Sequence, residues 1–418
     1  MLDLRLPHGS WTRSLERMTS VAVLGLGRMG TAMADRISSI HDVRTWTRSG
    51  GGTHASAADA VAGVDVVLLC LYDGPACRGV LAACLPLVPA SAIVVNTTTV
   101  GPDEAAELEE LVRAAGPAYL HAPVMGSTPA IARGGLTILA GGKPSAEVET
   151  VLSHLGDTLV FAGPAEAAAL KLVANGVLGD SLASLRRALA RGDALGLPRD
   201  AVLGVLARGA LGRFVDGSRH VLGDEGARPP ATFAAAALAK DLDLLAAASD
   251  TVSDSAGFIG TLLAGGELLA DDDVAVVGVA AQKLSWLADA RLDVSPEVVA
   301  DPALLRPLHA YAKTHATGDP SYLPDAFLPT AHIEGYRDGE FSSWDLEAFA
   351  GVFTGVPAPD EPTRNRRIER LHVSGGVATA VMTLHHGDVD FTDAFVLLRL
   401  PDGAWRIANK AYERLMKR

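Results

Sequence analysis

The sequence predicts three successive parts: a parallel, doubly wound α/β domain, an all-α domain, and a C-terminal α+β domain. Three observations carry this order. Short β-branched runs alternate with helical segments from Val21 to about Ala115, as in a sheet wound by crossover helices. After about Ala165 the strand signals stop and apolar residues recur at helical spacing. The aromatic residues then gather at the end of the chain, where residues 303–418 hold six of the ten Phe.

The elements follow in order. Val21–Leu24 reads as a short buried strand, Met29–Ile40 as a helix and Val43–Trp46 as a second strand. Val64–Leu71 is an unbroken run of Val, Leu and Cys around Asp65, suited to a strand covered on both faces. Ala92–Asn96 is another strand, and Glu104–Ala115 the helix after it. Ala165–Leu195 carries Leu170, Val173, Val177, Leu178, Leu182, Leu185 and Leu189 on a wide apolar face, so a long helix is expected there, with a second copy of the chain as its partner. Helices continue to about Ala290. The three prolines of Asp293–Pro307 mark a linker over 293–302, with Pro307 opening a helix that runs to about His315. Arg367–Val373, Val377–His385, Phe391–Leu400 and Trp405–Tyr412 then read as antiparallel strands, Pro401-Asp402-Gly403 as a turn between two of them, and His385-His386 as a turn beside Gly387. The domains expected are therefore 18–164, 165–292 and 303–418, after an extension over 1–17 that carries no secretory pattern and reads as disordered.

Composition narrows the function. With 418 residues, 49% of them hydrophobic, the chain buries large cores. A net charge of −13 argues against a nucleic-acid partner. No apolar run reaches the ~18 residues a membrane span needs, and no membrane partner is expected. The three cysteines, Cys70, Cys77 and Cys84, are odd in number and confined to one stretch, which fits a reducing, cytoplasmic setting.

The strongest chemical signal is VAVLGLGRMG. It sets Gly25, Leu26, Gly27, Arg28, Met29 and Gly30 between a strand and a helix, the context in which Gly-x-Gly-x-x-Gly holds a dinucleotide in a Rossmann domain. One glycine makes the turn, one lets the backbone approach a pyrophosphate, and one lets helix and strand pack closely. At the end of the second strand, Thr47, Arg48 and Ser49 replace the acid that would hold a ribose 2′-hydroxyl. A guanidinium and two hydroxyls suit a 2′-phosphate, so NADP is expected over NAD. Lys171 and Asn175 share one face of the long helix, a turn apart. A lysine among Leu170, Leu172 and Val173 is suited to proton transfer once desolvated. His309, Tyr311, His332, Asp345, His372 and Asp393 are polar candidates for a cavity in the last domain. No His-x-His or His-Glu-x-x-His spacing occurs, and no metal is expected.

These segments resemble, in order, those of the β-hydroxyacid dehydrogenase family, which includes 3-hydroxyisobutyrate dehydrogenase. The resemblance covers about residues 20–290 and rests on GLGRMG, Asn96–Pro102, His121–Gly142, Lys171–Asn175 and Ala239–Leu245. It implies that Lys171 is the general acid/base and that Asn175 orients the substrate. It implies further that Leu71, Tyr72, Ala76, Thr99 and Lys240 meet the cofactor, and that Met125, Gly126 and Ser127 meet the substrate. The expected activity is hydride transfer to or from a small carbonyl or alcohol. Met125 stands where the family usually has a carboxylate-binding Ser, a feature shared with imine reductases, so an imine substrate is the alternative; a non-catalytic cofactor sensor is a third. The last domain resembles the cone-shaped SnoaL-like folds, on Tyr311, Asp325-Ala326-Phe327, Phe391-Thr392-Asp393 and Gly403–Ile407.

Overall fold

The computed structural model describes residues 18–223, 228–249, 254–279, 284–295, 298–337 and 339–416; the extension expected over 1–17 lies outside them. The first part runs β1 (Ser20–Leu24), α1 (Arg28–Ile37), β2 (Asp42–Trp46), α2 (Ala57–Val61), β3 (Val66–Leu69), α3 (Gly74–Cys84), β4 (Ile93–Asn96), α4 (Pro102–Ala114), β5 (Ala118–His121), β6 (Val124–Met125), α5 (Thr128–Ala132), β7 (Leu136–Gly141), α6 (Ala146–Ser153) and β8 (Gly156–Phe161). The sheet order is β2-β1-β3-β4-β5-β7-β6, with β8 beside β7. Strands β1 to β5 are parallel; β7 is antiparallel to β5 and β6. All four residues of β3 are buried, as a central strand covered on both faces requires. One core lies on each face of the sheet, around Leu69, Val94 and Leu108 on one side and Val23, Leu68 and Ile138 on the other.

The helical part consists of α7 (Pro164–Ala194), α8 (Arg199–Leu206), α9 (Gly212–Leu222), α10 (Ala235–Ser249) and α11 (Asp254–Gly265). Leu182, Leu185 and Leu189 of α7 share a core with Leu203, Val215, Leu238 and Ile259. No helix among the described residues is long and apolar enough to cross a membrane.

The chain divides into two compact units. One holds the residues through Gly176 together with Asp243–Asp250, and the other holds Val177–Leu242 with the chain from Thr251 onward. The first boundary expected, at residue 165, therefore moves into α7. The reason is packing: Ala168 is buried in the core beneath β3 and β4, and Leu245 fills the space a side chain at Gly176 would need.

The last part holds β9 (Leu292–Val294), α12 (Pro302–Thr317), α13 (Leu323–Ala326), β10 (Phe327–Arg337), β11 (Glu340–Asp345), α14 (Leu346–Ala350), β12 (Asn365–Ser374), β13 (Val377–His386), β14 (Val389–Arg399) and β15 (Trp405–Met416). Its sheet order is β11-β10-β15-β14-β13-β12-β9. The expected antiparallel pairings hold from β12 through β15, but β10 runs parallel to β15 and β9 parallel to β12. The linker expected over 293–302 thus begins inside a strand, and the core of this part already includes Leu287, Ala290, Leu292 and Val298. The helix opens at Pro302, capped by the Asp301 carboxylate on the Ala303 N–H, and Pro307 sits inside it. Pro302 at the first turn supplies the start signal that the sequence reading gave to Pro307. His385 and His386 end β13 rather than forming the turn, which Gly387 makes at φ +61°.

Candidate functional site

Parallel strands β1, β3 and β4 deliver their following loops to one edge of the sheet. The chain leaves β1 for β2 on one side and then crosses to β3 on the other, so a crevice opens at the ends of β1 and β3. The glycine turn sits at that crevice. Gly25 adopts φ +104°, and a Cβ there would lie 2.3 Å from the Cys70 carbonyl oxygen at the end of β3. A Cβ on Gly30 would lie 1.9 Å from the Gly25 carbonyl oxygen, so α1 can close onto β1 only without a side chain. Gly27 faces open space and is exposed.

Gly27 caps α1 without a side-chain hydrogen bond, and the first turn holds no acid. The first ladder bond runs from the Thr31 N–H to the Gly27 carbonyl at 2.9 Å, which leaves the N–H groups of the opening turn outside the ladder. An uncapped helix end, a bare Gly27 and a switch-point crevice together fit a pyrophosphate. Thr47, Arg48 and Ser49 form the loop leaving β2, with Arg48 and Ser49 exposed and no carboxylate among the three. Leu71 and Tyr72 follow β3, and the Leu71 N–H donates to Thr98 Oγ1 at 3.0 Å. The Ala76 N–H is held by the Asp73 carboxylate, which caps α3. Thr99 is half-buried in the loop after β4. The sequence-predicted cofactor residues up to Thr99 thus meet along one sheet edge. Lys240, on α10, lies in the other compact unit and is ion-paired to Asp241 at 2.6 Å.

Lys171 and Asn175 are both buried on α7, and the Lys171 ammonium donates to Asn175 Oδ1 at 3.1 Å. Met125 is exposed at the end of β6. Gly126 takes φ +118°, where a Cβ would press on Leu136, and Ser127 caps the short α5 through its carbonyl.

The sequence reading missed His121. It ends β5 fully buried, with Tyr119 OH 3.3 Å from its Nδ1 and Asn96 Nδ2 donating to that hydroxyl at 3.1 Å. Its Nε2 has no hydrogen-bond partner among the described residues. Burial pushes this imidazole down to about 3, from an ordinary value near 6.5. A lowered histidine contributes stability that is complete above the unfolded value and is lost as pH falls, because the unfolded chain takes up the proton first. Between pH 6.5 and about 3 the loss is about 1.4 kcal/mol per pH unit. Urea unfolding at pH 7 and pH 5.5 is expected to show this slope in the parent chain and a shallower one in His121→Gln; parallel profiles would refute the assignment.

In the last part, the six polar candidates separate. Tyr311 and Asp393 are buried together, the Tyr311 hydroxyl donating to Asp393 at 2.5 Å. His309 pairs with Asp289, His332 bonds the Thr330 carbonyl, Asp345 caps α14, and His372 is exposed; none of these four lines the cavity that Tyr311 faces. Lys410, His315 and His386 were missed. His315 stands one turn after Tyr311 on α12, a spacing that the sequence does display.

Residues 20–163 match the family model described as "NAD binding domain of 6-phosphogluconate dehydrogenase", and residues 300–413 match one described as "Putative lumazine-binding". A "Probable 3-hydroxyisobutyrate dehydrogenase" of Mycobacterium tuberculosis is 30% identical over 209 residues, covering 47% of this chain and 71% of that protein. An "NAD-dependent L-serine dehydrogenase" of Pseudomonas aeruginosa is 28% identical over 214 residues, covering 47% and 72%. The solved structure of Mycobacterium tuberculosis 3-hydroxyisobutyrate dehydrogenase with L-serine shares the fold, with a TM-score of 0.54 at 23% identity over 62% of this chain and 98% of that one. With its glycine turn at the switch point and a relative of this identity and coverage, the chain belongs to the β-hydroxyacid dehydrogenase family of NAD(P)-dependent oxidoreductases, in the company of 3-hydroxyisobutyrate dehydrogenase.

Proposed function

We propose that the chain is an NADP-dependent oxidoreductase acting on a small carbonyl or alcohol, with Lys171 as the general acid/base. The observation that carries this reading is the buried Lys171–Asn175 pair in the same compact unit as the glycine turn. Asn175 accepts an N–H bond from the ammonium and so fixes where Lys171 can meet a substrate oxygen. In reduction Lys171 gives a proton to that oxygen; in oxidation it takes one away. The cofactor supplies or accepts the hydride. Gly25, Leu26, Gly27, Arg28, Met29 and Gly30 would hold its pyrophosphate, and Leu71, Tyr72, Ala76 and Thr99 its remaining surface. Met125, Gly126 and Ser127 would border the substrate. NADPH consumption with a panel of small aldehydes, ketones and imines tests the activity. An inert panel would leave the chain as a cofactor sensor.

Arg48 decides the choice of cofactor. Its exposed guanidinium would make charge-assisted bonds to the 2′-phosphate, worth roughly 1.5–3 kcal/mol. Arg48→Ala is expected to weaken NADPH about ten- to a hundredfold and to leave NADH nearly unchanged, read by cofactor titration. Tighter NADH than NADPH binding in the parent chain would overturn the assignment.

Met125 favours a second reading. Its exposed thioether offers no hydrogen bond of use to a carboxylate, and an imine needs none. Faster turnover of a cyclic imine than of any hydroxy acid or aldehyde would select it. The exposed Leu170, Val173 and Val177 follow one face of α7 and support a homodimer. Light scattering that gives a monomer would remove that proposal. A cytoplasmic setting rests on the cysteines, all three of which are free.

The last part is proposed to be an accessory module. A chain ending at Val279, before the residues of its core, is expected to fold, bind NADPH and retain turnover. Intact binding with lost turnover would instead give this part a share in catalysis.

A further inference from the structure

A cavity of about 410 Å³ opens inside the last part of the chain. Its wall carries six aromatic rings, Tyr311, Trp344, Phe349, Phe353, Phe391 and Tyr412; Phe349 meets Phe353 edge to face and stacks against Trp344. Its polar lining is one-sided: Arg337, Arg364, Lys410, His315 and His386 take part, and no Asp or Glu does. Two of these cations already have partners, since Arg364 pairs with Asp360 at 2.9 Å and Lys410 with Asp393 at 3.0 Å. Arg337 is exposed at the end of β10.

Three further features define what fits. Lys410 uses two ammonium donors on Tyr311 and Asp393, which leaves a third. His315 and His386, with rings 6.0 Å apart, each hold a buried Nε2 for which no described group is a partner, and a satisfied interior leaves few such atoms. Lys410 pairs in register with Ile333, and Arg337 lies four residues further along the same face of β10. At about 3.3 Å per residue the backbone positions of Lys410 and Arg337 stand roughly 13 Å apart along the strands. A cavity wall of that length takes two or three fused rings with a polar group at each end.

We propose that this cavity is a binding site for a hydroxylated aromatic carboxylic acid of two or three fused rings. The rings stack among the aromatic walls, the hydroxyl meets Lys410 and the imidazoles at the inner end, and the carboxylate pairs with Arg337 at the mouth. The volume lies in the range of small-molecule pockets. The site stands apart from the oxidoreductase reading and does not depend on it.

The test uses the full chain and 6-hydroxy-2-naphthoate, followed by its own fluorescence. Saturable binding at micromolar concentration is expected, weakened about tenfold or more by Arg337→Ala, which lies at the surface, and by Val352→Trp, which crowds the mouth. 2-Naphthol, which lacks the carboxylate, is expected to bind more weakly and to be indifferent to Arg337→Ala. Absence of saturable binding overturns the proposal. So does naphthoate binding that survives both substitutions, because it would then occupy another site. Decanoate binding as tightly as the naphthoate would overturn the aromatic class, and 2-naphthol binding equally well would overturn the acid.

Discussion

Lys171→Ala is expected to lower turnover by about 10²–10⁴ while NADPH affinity stays within a few-fold of the parent. Such a split belongs to a residue whose proton moves at the substrate. The ammonium sits beside Asn175 on a helix face packed into the α/β unit, so its loss removes a donor without opening the glycine turn. Asn175→Ala should follow in the same direction with a smaller effect, since it positions the lysine. Steady-state rates and cofactor titration on the same preparations read both numbers. Near-normal turnover in Lys171→Ala would move proton transfer elsewhere and favour an imine substrate, whose basic nitrogen takes its proton from solvent to enter as the iminium.

The second large effect falls on stability. Asp393, Lys410 and Tyr311 form a buried set beside the cavity, with Lys410 2.6 Å from the Tyr311 hydroxyl and 3.0 Å from Asp393. Burial pushes the Asp393 carboxyl up and the Lys410 ammonium down; each partner opposes that drift in the other. Removing one charge leaves the other buried without its counter-charge. Lys410→Met is expected to destabilise this part by about 3–5 kcal/mol, a large share of a domain's usual 5–15 kcal/mol. Adding Asp393→Leu should recover most of that loss, because two apolar groups need no partner. Chemical unfolding of the two variants decides it: a double variant no more stable than the single one would mean that Tyr311, not the ion pair, sets the cost.

Much of the α/β part was legible, because β1, β3 and β4 are buried runs of Val, Leu and Ile that can only be central strands. The glycine turn was legible for a related reason: two of its three glycines, Gly25 and Gly30, answer to clashes with nearby backbone carbonyls. Strand β6 was not, since two residues carry no periodicity. The pairing beside the cavity was harder still: Asp393 could be named, but its partner Lys410 is seventeen positions away and meets it because β14 and β15 pair side by side. For His121 the same-face partner Tyr119, two residues earlier on β5, was in view, but Asn96, which holds that hydroxyl, comes from β4.

Strand β9 was read as linker because three residues before a proline-rich stretch look like nothing else. Laid along β12, it leaves that strand's outer side bonded to Leu292, Asp293 and Val294. The smallest transplantable cassette of this sheet therefore starts upstream of Leu292, and upstream of Leu287 if its core is to travel with it. A graft cut at 303 would carry ten-residue β12 as a naked border, with a row of amide and carbonyl groups open to any other extended chain. Such a fragment is expected to precipitate or to pair with its own copies, and what looks like a failed fold would be a misplaced pair of scissors.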